Sequence, residues 1–402
     1  MILAYFFRIY FRLFTARFKY SAWAFCTVLL VSTEVYGTNN SDTLHPEPKK
    51  TLRNFMNPDS LASINFSLIP VPIVSSSPET GIRFGMSLDY FFNAKDKSKT
   101  QNNEARGSFL FGQITYSTLN QLDLMGGWQV FTKGEKWVLR GRAGYSAFEE
   151  RIWGIGMNTV AEKDYWEFNY TRAFLESRFY RQLKNNWFAG ISINYNNTFD
   201  VRFSKPLSPA FNYSDGVTGS TVLGIGPAIL LETRDYPFSA RQGVYLEAIY
   251  QHFLPVGSLP YAYQQLILDY RKFHPLGKEN TIGYQLFHQS TTGAVPLREL
   301  PRVGSPALLR GFFGGRYRNK SLTALQGEYR FQVWRWIHAS VFGAGGFNDA
   351  AVRDYHLPDL LFSGGGGLRF LVNKKNRMFV RMDYALNSTM GGAFYLRLND
   401  AF

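Results

Sequence analysis

Met378-Phe379-Val380-Arg381-Met382-Asp383-Tyr384-Ala385-Leu386 puts Met378, Val380, Met382, Tyr384 and Leu386 on one face of an extended chain. Phe379, Arg381, Asp383 and Ala385 fall on the other. Successive side chains of a strand point to opposite sides of its sheet, so a period of two is the strand signature. The same alternation returns elsewhere. Leu266, Leu268 and Tyr270 oppose Gln265, Ile267, Asp269 and Arg271; Leu325, Tyr329, Phe331 and Val333 oppose Gln326, Glu328, Arg330 and Gln332; Trp137, Leu139, Ala143 and Tyr145 oppose Arg140 and Arg142.

Working outward from these stretches, the pattern predicts sixteen strands, at 62–74, 80–93, 105–118, 121–131, 136–147, 165–181, 186–200, 219–234, 242–254, 261–274, 280–290, 321–334, 336–348, 362–374, 376–388 and 391–402. The connections alternate in character. Lys133-Gly134-Glu135, Leu183-Lys184-Asn185, Leu276-Gly277-Lys278 and Asn373-Lys374-Lys375-Asn376 are short and polar, as periplasmic turns are. Those near 148–164, 201–218, 291–320 and 348–361 are long, as extracellular loops are. The charged connection at 94–104 falls on the short side and is a misfit. An even strand number and this asymmetry are the pattern of an outer-membrane barrel.

Sidedness separates a membrane barrel from a soluble one. Eight strands can fill their interior with side chains, whereas sixteen enclose a wide lumen that is wet or plugged. Its lining is therefore expected to be polar, with Arg140, Arg142, Arg330, Asp383 and Arg397 facing inward, and the apolar residues turned to lipid.

Composition agrees. The 402 residues are 17% aromatic, with 36 Phe and 24 Tyr, and the mean hydropathy is −0.19. Phe and Tyr suit pleated strands, and Tyr suits a membrane–water boundary. No apolar run of about 20 residues occurs beyond the N-terminus, which excludes a helical membrane bundle. The formal charge of +14 could point to nucleic acid, but an exported chain rarely meets it, so a pore lining or lipid headgroups explain the basic excess better.

Export itself is read from residues 1–37. Arg8, Arg12, Arg17 and Lys19 precede the apolar run Tyr20–Ser32, and Val35 and Gly37 fit a cleavage site after Gly37. Cys26, the only cysteine, lies inside this signal peptide, so the exported chain is expected to carry no disulfide, thiolate site or thiol nucleophile. Residues 38–61, punctuated by Pro46, Pro48 and Pro58, are a flexible periplasmic leader. Residues 62–402 form the barrel. At its end Phe394, Leu396 and Leu398 share a face, and the chain stops at Phe402. Such an ending resembles the insertion signal that barrel-assembly machinery reads.

One loop carries a resemblance. Residues 303–331 read VGSPALLRGFFGGRYRNKSLTALQGEYRF. Leu309-Arg310-Gly311-Phe312, followed by Gly315-Arg316-Tyr317-Arg318-Asn319-Lys320, resembles the long sixth extracellular loop of the bacterial surface antigen superfamily, to which the BamA and TamA barrels belong. Further features stand in that family's order: Ile69-Pro70-Val71-Pro72, Ser77-Pro78-Glu79-Thr80-Gly81, Gly154-Ile155-Gly156, Glu232-Thr233-Arg234-Asp235 with Gly243, Leu268-Asp269-Tyr270-Arg271, Glu328-Tyr329-Arg330, and Phe394-Tyr395 to Phe402. The resemblance implies that the loop folds back into the lumen and that Arg310 docks on the inner wall. Glu328 is the candidate partner, since Gln326, Glu328 and Arg330 share the polar face. A bidentate arginine–carboxylate pair in a dry site is strong and specific.

Two departures qualify the expectation. In Phe342-Gly343-Ala344-Gly345-Gly346, Ala344 stands where the family carries an aspartate, which leaves Arg310 at most one of its usual carboxylates. The stretch from Thr38 to Leu61 is also too short for even one of the periplasmic POTRA domains that substrate-handling members carry. The resemblance therefore implies an accessory role in outer-membrane protein insertion or export, through the seam between the first and last strands. The alternative is a passive channel or structural envelope barrel. Expected partners are outer-membrane lipid, the barrel-assembly machinery for its own insertion, and client outer-membrane or exported proteins. An enzyme is not expected. His288-Gln289-Ser290 is the nearest approach to a base beside a hydroxyl, and neither a G-x-S-x-G elbow, an H-E-x-x-H pair nor a phosphate-binding glycine loop occurs, so no cofactor or metal is expected.

Overall fold

Period-two alternation becomes sixteen antiparallel strands in the computed structural model, which describes residues 68–92 and 107–402 apart from 158, 209, 210, 212, 258, 259, 375, 376 and 390. They are β1 (Leu68–Ser77), β2 (Gly81–Phe92), β3 (Ser108–Ser117), β4 (Leu122–Phe131), β5 (Trp137–Ile152), β6 (Trp166–Lys184), β7 (Trp187–Phe203) and β8 (Ser220–Glu232). β9 (Gly243–Pro255), β10 (Tyr263–Leu276), β11 (Asn280–Gly293), β12 (Ser321–Trp334), β13 (Ile337–Asp349), β14 (Leu361–Asn373), β15 (Met378–Asn387) and β16 (Gly392–Leu398) follow. Each pairs with its sequence neighbours, and β16 returns to β1, closing the ring. Closure pairs every strand on both sides, the condition for sheet to exist in lipid, although the pairing is short where β1 meets β16. The expected signal peptide with its expected cleavage after Gly37, the expected leader, the first residues of the expected opening strand and the whole charged connection at 94–104 lie outside the described residues.

Sidedness follows the alternation. Along β2, Phe84, Met86 and Leu88 are 48%, 53% and 49% exposed, whereas Arg83 and Ser87 on the opposite face are buried. The outward face of the ring presents Ile114, Phe179, Ile191, Ile225, Leu286, Val341 and Leu386 in the same way. An apolar surface this continuous suits lipid and not water. Inside, Arg140, Glu232, Glu247, Asp269, Glu328, Arg369 and Asp383 are buried.

Three expectations are corrected. The lining is not uniformly polar: Phe131, Val138, Tyr180, Phe188, Leu230 and Ile249 occupy inward positions on β4 to β9 and form one buried apolar cluster. β5, β6 and β7 also run longer than expected, to Ile152, Lys184 and Phe203, so part of the predicted loop sequence is strand. The last strand stops at Leu398 and does not reach Phe402. Asn399 adopts φ 65°, which turns the chain, and the Ser239 hydroxyl donates to the Asp400 carboxylate at 2.5 Å. Phe402 is buried against Phe273, its ring centroid 6.1 Å away.

The ring is uneven. β1 and β2 pair along ten residues each way, from Leu68 opposite Tyr90 to Ser77 opposite Gly81, but among the described residues β1 meets β16 in register only at Ser76 opposite Leu396. The last strand has seven residues, against 19 in β6. With few ladder hydrogen bonds of its own, the seam needs support from elsewhere.

Candidate functional site

That support comes from residues 294–320, which connect β11 and β12. Arg310 lies within this segment and is 1% exposed. Its Nη2 donates to Glu328 on β12 and its Nη1 to Asp383 on β15, each at 2.6 Å. The guanidinium also sits 3.4 Å from the centroid of the Phe342 ring on β13. A planar fork with fixed donors can span two carboxylates in this way, while a lysine ammonium cannot. The Nε of Arg310 has no hydrogen-bond partner among the described residues, which fits its burial over an aromatic face.

Glu328 was expected as the partner. Asp383 was not: it stood among the inward residues, unconnected with Arg310. The usual acid is absent at Ala344, as expected, and Asp383 supplies a second carboxylate that the sequence did not connect with Arg310. Ala344, in the position where an acid was missing, packs instead with the loop's own apolar residues Val303, Leu309, Phe312 and Tyr317. The second negative charge comes from two strands further round.

A ladder of charges continues from this pair. Arg369 donates to Glu328 at 2.8 Å, to Asp383 at 2.9 Å and to Asp400 at 3.1 Å. Arg330 reaches Glu328 at 2.9 Å, Asp400 at 3.2 Å and the main-chain oxygen of Phe402 at 2.9 Å. Arg381 donates to Asp383 at 2.8 Å and to the carbonyl of Pro306 at 3.0 Å. Four arginines and three carboxylates thus connect the loop to the tail that follows β16. Burial works to raise the Asp400 carboxyl, and the adjoining Arg330 and Arg369 overcome it and hold it below the ordinary carboxylate range.

Two backbone contacts place the loop on both sides of the seam. The Gly311 amide donates to the Tyr395 hydroxyl on β16 at 3.0 Å, and the Gly314 amide donates to the Glu79 carboxylate at 2.5 Å, in the turn between β1 and β2. Gly311 also accepts from Asn387 at 2.7 Å. Its φ is 105°, and a Cβ there would lie 3.1 Å from the Leu386 carbonyl oxygen, so only glycine fits comfortably.

The rest of the loop is held at Glu150 on β5. Arg302, Arg298 and Arg318 approach its carboxylate at 2.8, 3.3 and 3.5 Å, and Tyr170 of β6 donates to it at 2.9 Å. Burial lowers the Arg318 guanidinium to about 10 despite the charge of Glu150. Arg316 takes no part in this group; it lies 5.2 Å from the centroid of a Trp153 ring and 5.6 Å from that of Tyr317. A separate network surrounds Tyr245, whose ring is approached by Arg234, Arg271 and Arg140 at 4.5, 5.1 and 5.5 Å. Glu232 joins Arg234 and Arg140 there, at 2.7 and 2.8 Å.

Of the closing residues, Phe394 and Leu398 face outward, Leu396 stands opposite Ser76 at the seam, and Tyr395 points inward, fully buried. His288 has Nδ1 2.8 Å from the hydroxyl of Thr323, across the β11–β12 pair. Among the described residues, no group of three or more His, Cys, Asp or Glu side chains could hold a metal ion.

These features define a class: a closed sixteen-stranded antiparallel β-barrel with an apolar exterior, in which Arg310 of the β11–β12 connection pairs with carboxylates on β12 and β15. Its fold is that of BamA and CdiB. BamA from Haemophilus ducreyi lacking POTRA domains 1–3 matches with a TM-score of 0.52 and 12% identity, over 83% of this chain and 70% of that one. CdiB from Escherichia coli matches at 0.54 and 10% identity, and CdiB from Acinetobacter baumannii at 0.50 and 10%. The two matches cover 84% and 83% of this chain, which spans 63% and 59% of those CdiB chains. No family model and no curated protein matches the sequence.

Proposed function

We propose that this protein resides in the outer membrane of a Gram-negative cell and has an accessory role in inserting or exporting other outer-membrane proteins. It acts through the seam between β1 and β16. Its partners are membrane lipid, the assembly machinery that inserts it, and client polypeptides. No catalytic role is part of the proposal.

One observation carries this reading. Among the described residues the strands at the seam meet in register only at Ser76 and Leu396, while the loop amides of Gly311 and Gly314 reach Tyr395 on one side and Glu79 on the other. A junction held by a docked loop more than by its own ladder opens with fewer ladder hydrogen bonds to break, once the loop contacts release it. The resemblance of the loop motif to that of the surface antigen barrels, and the shared fold with BamA and CdiB, point the same way.

Cysteines at Ser76 and Leu396, which stand opposite each other, test it. The only native cysteine, Cys26, lies in the expected signal peptide. Oxidative closure is expected to reduce the folded levels of client proteins in the outer membrane, and reduction to restore them. Unchanged client levels with the seam crosslinked would reject gating. Stable single-channel conductance in the crosslinked barrel would then favour a passive pore.

A further inference from the structure

A groove of about 270 Å³ opens on the outward face across β5, β6 and β7, beside the short turns that join these strands. Trp137, Phe179, Ala189, Ile191 and Ile193 line it, and Arg181 is its one charged lining residue. The register explains the shape. Arg181 stands opposite Trp137 on one side and Ala189 on the other, and Phe179 stands opposite Ile191. Ala189 offers only a methyl group where its outward neighbours carry large side chains, so a notch remains in an otherwise continuous apolar surface.

Arg181 is exposed, its guanidinium carbon 5.8 Å from the centroid of a Trp137 ring, and it pairs with no carboxylate among the described residues. Lys136, just before β5, and Lys184, at the end of β6, are both exposed and flank it. A lipid-facing arginine at the end of a strand turns its head toward the interface, where phosphate is the available anion. Tryptophan beside it occupies the same level, with its ring amphipathic between tail and headgroup.

From this juxtaposition we infer that the groove is a binding site for one anionic phospholipid of the leaflet that meets the short turns. An acyl chain lies along Phe179, Ile191 and Ile193 over Ala189. The phosphate sits at Arg181, with Lys136 and Lys184 favouring a headgroup that carries net negative charge. The inference depends on the apolar exterior of the barrel and not on the proposed role of the seam.

Native mass spectrometry of the full chain released from nanodiscs of mixed phosphatidylethanolamine and phosphatidylglycerol tests the site. The unaltered protein is expected to retain one phosphatidylglycerol in preference to phosphatidylethanolamine. Arg181→Gln is expected to reduce that retention about fivefold, the loss of one basic contact at a membrane surface. Ala189→Trp fills the notch and is expected to abolish retention while heat-modifiable migration on gels persists. If that variant fails to fold, Arg181→Gln alone decides. Equal retention of both lipids by the unaltered protein, or undiminished phosphatidylglycerol on folded Arg181→Gln, overturns the assignment.

Discussion

Arg310 and Asp383 are 73 positions apart in the chain, yet their side chains meet at 2.6 Å inside the barrel. The contact joins a loop to a strand that is not its sequence neighbour, and Glu328 completes the fork from the strand that follows the loop. Both carboxylates are buried with the arginine. Removing one partner of such a group leaves uncompensated charge out of water, which is far costlier than never having built it.

Arg310→Ala is therefore expected to destabilise the folded barrel by about 3–5 kcal/mol, measured as a shift in the urea midpoint of heat-modifiable migration. Arg310→Lys is expected to recover only part, because a single ammonium cannot replace a planar two-ended fork. Full stability in the lysine variant would show that charge alone, and not geometry, holds the site.

Excision of residues 307–320 removes Arg310 together with Gly311, Gly314 and Arg318, and so both seam contacts and one hold on Glu150. The folded yield is expected to fall. The loss is expected to exceed that of Arg310→Ala, since Leu309, Phe312 and Tyr317 leave their apolar cluster as well. A yield equal to that of the intact chain reduces the loop to decoration.

Phe402 separates two roles that one residue can hold. Its ring is buried against Phe273, and its main-chain oxygen accepts from Arg330 at 2.9 Å. If packing is its task, Phe402→Ala costs about 3–5 kcal/mol in detergent refolding, where no assembly machinery is present. A variant that refolds normally in detergent but fails to insert in cells points instead to recognition of this residue during insertion. Asp400 adds a pH dependence to the tail. Its carboxyl is held below the ordinary range, so its contribution is present above the unfolded value and is lost as pH falls through the folded one. Asp400→Asn is expected to flatten that acid limb.

Much of this molecule was legible residue by residue. The alternation around Met378–Leu386 placed Asp383 inward, and the same parity placed Arg140, Glu328, Arg330 and Arg397. The loop motif singled out Arg310 and proposed Glu328. Strand period and loop length are local properties, carried by neighbours within a few residues, and a sequence states them directly. The end of β16 was not legible: the expected strand ran to Phe402, whereas it stops at Leu398.

What only the tertiary structure decided are the pairings across the enclosed space. Asp383 and Arg310 share no period, spacing or strand, and Asp400 meets Arg369 only because the chain turns inward after Leu398. The same holds for Glu79 and Tyr395, which the loop brings into one arrangement from opposite sides of the seam. Alternation says which way a side chain points. Closure of the ring determines what it points at, since the curvature and register of all sixteen strands together set which inward groups come within reach of the loop.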